Sequence, residues 1–65
     1  MTKLTLDANI ADPDGFYAEL LALHDGLTDD ESQALNARLI LVLANHIGAR
    51  NVLRAAMRAA VKHDH

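Results

Sequence analysis

A chain of 65 residues with no cysteine and a formal net charge of −3 is one domain at the small end of the range, able to bury roughly 60% of its surface on folding. With no disulfide and no spaced metal ligands to staple it, oligomerisation or a partner chain is the common remaining source of stability, so a second chain is expected from size alone. The acidic balance disfavours non-specific nucleic-acid binding, the longest apolar run, residues 39–44, is too short for a bilayer, and no basic start leads into an apolar export segment. A soluble, cytoplasmic protein is expected.

Residues 1–11 alternate apolar and polar only from Lys3 to Leu6, enough for an extended arm and too little for a sheet. A first helix is expected over about 12–25. Asp12 followed by Pro13 is an N-cap with a proline at the first helical position, Asp14 adds charge at the positive helix end, and Gly26 supplies the left-handed stop. Phe16, Leu20, Leu23 and Leu27 recur at helical spacing, with Tyr17 and Leu21 widening that face.

A second helix is expected over 28–47, opened by Thr28-Asp29-Asp30-Glu31 as a capping box in which the threonine hydroxyl and the Glu31 carboxylate cover each other's free N–H groups. Gly48 ends it. A third helix, 50–63, is rich in alanine and basic in its last turns. The expected architecture is all-α: a three-helix, antiparallel, bundle-like small domain with a short N-terminal arm, completed by oligomerisation.

The stretch NARLILVLANHIG, residues 36–48, is the unusual one. At about 100° per residue, Leu35, Leu39, Ile40, Val42, Leu43 and Ile47 share an arc of roughly 160°, and Asn36 and His46 fall inside it. Glu31, Arg38 and Asn45 mark the opposite side, with Leu41 among them, so the second half of this helix is apolar nearly all round. Such a helix needs cover on more than one side, and two short neighbours, one faced mainly with alanine, supply too little. Asn36 and His46 are therefore expected on the inward arc, bonded locally at a core edge, setting the register of a contact with another chain, or touching a bound ligand. Leu41 and Asn45 are candidates for that contact. In the third helix Ala55, Ala56, Ala59 and Ala60 permit close approach of a neighbour.

Charge divides along the chain: residues 1–35 hold eight carboxylates against Lys3 and residues 36–65 hold five bases against Asp64, giving −7 and +4. Arg50, Arg54, Arg58 and Lys62 recur every four residues as one basic ridge, which is either solvated, paired with the acidic half of this chain or a copy, or presented to an acidic partner. LANHIGARNVLRAAM, residues 43–57, has the alanine and glycine of a helix-turn-helix, but Arg54 stands where the second helix needs a buried apolar side chain. DNA binding is not expected.

No catalytic constellation is visible. There is no glycine-rich phosphate loop, and the one serine, Ser32, lies in the first turns of the second helix. Asp29, Asp30 and Glu31 are what a helix dipole favours at its start, His24 reads as a helix C-terminal residue, and the terminal His63-Asp64-His65 is too near a frayed end to hold a metal. Catalytic, cofactor-binding and metal-binding residues are all expected to be absent. The candidate site is a partner interface drawn from Asn36, Leu41, Asn45, His46, Arg50, Arg54 and Arg58.

The blocks IADPD, FYAEL, LNARL and LANHIG, within residues 9–48, resemble a family of short bacterial proteins defined by a domain of unknown function. The resemblance covers about two thirds of the chain and weakens through the third helix. It carries no catalytic residues. Members of that family tend to accompany flavin-dependent hydroxylases of aromatic compounds, some of them as small coupling subunits of hydroxyphenylacetate-type hydroxylases. What the resemblance implies is an accessory role, in which the flavoprotein holds FAD and uses NAD(P)H while the small chain binds neither. A stand-alone homodimeric interaction module is the other reading.

Overall fold

The computed structural model describes residues 3–62. Three helices follow one another, α1 (Pro13–Leu23), α2 (Asp29–Ile47) and α3 (Arg50–Lys62), and no strand occurs among the described residues. Helix α1 begins one residue and ends two residues inside the expected limits, α2 begins one residue inside, and the end of α2 and the start of α3 fall where expected. The first two residues of the arm, position 63 of the expected third helix, and the His63-Asp64-His65 group lie outside the described residues.

Each boundary has a local cause. Asp12 caps α1 by accepting the Gly15 N–H on Oδ1 at 3.2 Å, and it does so from the left-handed region, φ 49° and ψ 65°, which a short polar side chain tolerates. After Leu23 the chain tightens through His24 N–H to Leu21 O at 3.0 Å and Asp25 N–H to Ala22 O at 3.3 Å, then turns at Gly26, φ 78°. The capping box of α2 is complete: Glu31 N–H donates to Thr28 Oγ1 at 3.2 Å and Thr28 N–H donates to Glu31 Oε1 at 2.9 Å.

Between α2 and α3 stand only Gly48 and Ala49. Gly48 N–H closes the last turn of α2 on Ala44 O at 2.9 Å, and Ala49 N–H then reaches back to Ile47 O at 2.9 Å. A bond over two residues around a centre at φ 76° and ψ −36° is a γ-turn of the rare positive-φ kind. This tight joint keeps α2 and α3 in contact, and Val52 is the one buried side chain among the described residues.

The rest of the chain stays open. Helices α2 and α3 approach each other, whereas no Cα of α1 comes within 8 Å of a Cα in either. The radius of gyration is 13.6 Å, against about 11 Å for a compact domain of this length. The accessible surface is 5989 Å², against about 4,100 Å² for a folded monomer of this mass. Roughly 1,900 Å² that a closed domain would remove from water is therefore still exposed.

Candidate protein-interaction surface

The second half of α2 contributes a continuous run to this exposed surface. Ile40, Leu41, Val42 and Leu43 are 64%, 69%, 64% and 49% exposed. At about 100° per residue these four consecutive side chains point in four different directions. The all-round apolar character read from the sequence is thus an all-round exposed apolar surface, and no single neighbour lying along one side covers it.

Partial cover exists on two sides only. Ser32, Leu35 and Leu39 are half-buried on one flank of α2 and Ala44 on another. On the first flank, His24 Nδ1 and Ser32 Oγ share a hydrogen bond of 2.9 Å, which ties the end of α1 to the first turns of α2. This pair was not foreseen from the sequence, where the two residues lie eight apart across a glycine turn. A histidine and a serine at that distance resemble a nucleophile with its base; here the bond joins the end of α1 to α2 and acts as a latch between helices.

The inward placement expected for Asn36 and His46 does not hold in the single chain, where both are exposed. The reason is the stance of α1: it is held at its C-terminal end by the His24–Ser32 bond and does not lie along α2, so the arc is half-buried only at Leu35 and Leu39 and the rest of it is exposed. Arg38, Asn45, Arg50, Arg54 and Arg58 are exposed as well. The seven candidate interface residues thus all lie at the surface, spread along α2 and α3, and the structure does not gather them into one pocket.

On the outer side of α3, Met57 and Val61 form a short apolar strip, 63% and 84% exposed, and share an open hollow with Arg54, Arg58 and Lys62. The basic ridge and this strip run side by side, while Ala55, Ala56 and Ala59 are half-buried on the face turned away from them. On α1, Phe16, Tyr17, Leu21 and Leu23 are exposed. The acidic start of α2 serves the helix itself, since Glu31 is engaged in the capping box.

Among the described residues, no three histidine, aspartate or glutamate side chains come together as a group that could hold a metal ion. None of the helices is long and apolar enough to cross a membrane.

No match is found among curated proteins or among solved structures. A family model does match, over residues 4–62, which takes in the arm, all three helices and the exposed apolar half of α2, and so extends through α3, where the resemblance read from the sequence weakened. The chain belongs to the family described as Protein of unknown function (DUF2783).

Proposed function

We propose that this chain is a non-catalytic auxiliary subunit, one whose helices become a closed, antiparallel, bundle-like domain only in the company of another chain. The observation that carries this reading is the four-way exposure of Ile40, Leu41, Val42 and Leu43 on a helix of 19 residues. A helix apolar on every side belongs in an interior, and this chain is too short to build that interior around it.

The partner class follows from the blocks IADPD, FYAEL, LNARL and LANHIG. They resemble small proteins that accompany flavin-dependent aromatic-ring hydroxylases, so the proposed partner is such a hydroxylase, with FAD and NAD(P)H bound by the flavoprotein and neither by this chain. In that complex the side of α2 around Leu41 and Asn45 supplies apolar contact, and Arg50, Arg54 and Arg58 supply orientation.

The test adds the purified chain to the hydroxylase encoded beside it and measures the fraction of NAD(P)H oxidation that ends in hydroxylated product. That fraction should rise with the native chain and stay at its starting value with Leu41→Asp. A hydroxylase equally coupled and equally stable with and without the chain overturns the proposal. The second reading, a stand-alone homodimeric interaction module, is favoured by the opposed charges of the two halves of the sequence, −7 and +4, which suit two copies side by side.

A further inference from the structure

The exposed residues of α2 contain a pattern finer than general apolarity. Asn36, Ile40, Leu43 and Ile47 are separated by four, three and four residues, the alternation of a helix seam that meets another helix. At about 100° per residue they fall within one arc of roughly 60°. That arc lies between the two partly covered flanks, Leu35 and Leu39 on one side and Ala44 on the other. In the single chain nothing fills it: Ile40, Leu43 and Ile47 are 64%, 49% and 48% exposed, and Asn36 is exposed with them. Leu41, Val42, Arg38 and Asn45 face away from it.

We infer that this seam is closed by a second copy of the same chain, its α2 running antiparallel. Two observations select that occupant. The seam alternates isoleucine and leucine, so reversing one copy sets Ile40 against the other's Leu43 and Leu43 against the other's Ile40, a contact that is its own complement under a two-fold axis. The charges agree with the reversal, because it brings the acidic start of α2, Asp29, Asp30 and Glu31, toward the partner's α2–α3 joint, where Arg50 begins the basic ridge. A parallel pair would instead set like charge beside like charge and align the helix dipoles.

In this arrangement Asn36 and the partner's Ile47 flank the central Ile40 and Leu43 layers. The inference rests on the reading above only in requiring that another chain cover α2. It leaves the Leu41 side free for a different protein.

Cysteine pairing tests it directly, because the native chain has no cysteine. Asn36→Cys and Ile47→Cys are prepared separately and oxidised mildly, alone and as an equimolar mixture, at tens of micromolar chain. Antiparallel pairing places position 36 level with the partner's 47 and about 16 Å along the axis from the partner's 36. The mixture should therefore give a cross-linked dimer and each variant alone should not. Cross-linking of each variant with itself, and in the mixture only between like variants as told apart by mass, shows a parallel pair and overturns the inference. So does a native chain that sediments as a monomer at the same concentration.

Ile40→Asp should abolish the dimer, while Leu41→Asp, on the other side of α2, should leave it intact. A dimer lost on Leu41→Asp and kept on Ile40→Asp also overturns the inference. The two proposals fail separately: a dimer with no effect on the hydroxylase removes the partner reading alone, and a monomer that improves coupling removes the seam alone.

Discussion

At Gly48 the backbone stands at φ 76° and ψ −36°, outside the regions that residues with a Cβ occupy at low energy. Nothing crowds the position, since the nearest atom to an added Cβ is Asn45 O at 3.9 Å. The cost of Gly48→Ala is therefore conformational, about 1–3 kcal/mol, and denaturant unfolding should show a lower midpoint with an unchanged slope. Asp12 poses the complementary case. It is a non-glycine residue at positive φ whose carboxylate accepts the Gly15 N–H. Asp12→Ala loses the cap and keeps the strain, costing about 1–2 kcal/mol, whereas Asp12→Gly loses the cap and relieves the strain, so its cost is only about a few tenths. Equal losses for the two variants would show that the carboxylate alone matters. Gly15→Ala adds a Cβ that would overlap the Asp12 carboxylate, so the gain in helix propensity is offset by displacement of the cap and the net change should be small.

The three helices could be read in the sequence because their signals are local: Asp12-Pro13, the T-D-D-E box and the two positive-φ glycines each act within four residues of where they stand. The joint between α2 and α3 was legible only as a stop, since a glycine announces positive φ without saying whether a γ-turn or a longer loop follows. The lie of α1 was not legible at all. Its apolar spacing implied a neighbour, but whether that neighbour is its own α2 depends on contacts between distant residues, which periodicity does not encode. For the same reason Asn36 and His46 were placed correctly on an arc of α2, and the arc itself proved open. An 11-residue helix held at one end is marginal in water, so amides of α1 should exchange with little protection in dilute solution while those of α2 beside α3 are slower. Ser32→Ala, which removes the tie to His24, should lower α1 protection further and leave α3 unchanged. Equal protection across all three helices in a monomeric sample would contradict this picture.

For the molecule as a whole, the surplus of exposed surface makes stability a property of concentration. If the folded unit is an assembly, its melting temperature should rise as the chain is concentrated from micromolar to millimolar, and a two-state transition independent of concentration would point instead to a self-sufficient monomer. The basic ridge belongs to this scale too. Arg50→Glu should weaken an assembly steered by charge, more at low salt than at high, and sedimentation at two ionic strengths would show it. A chain with Val52 as its one buried side chain among those described also has a bearing on supply in the cell. On the proposed reading, the newly made polypeptide offers chaperones and proteases the apolar surface they recognise until another chain covers α2. Its abundance should therefore be set less by its own synthesis than by the number of chains available to shelter it: produced in excess it is degraded, and produced beside its partner it persists. Pulse-labelled turnover, measured with and without co-expression, reads this dependence as a change in half-life.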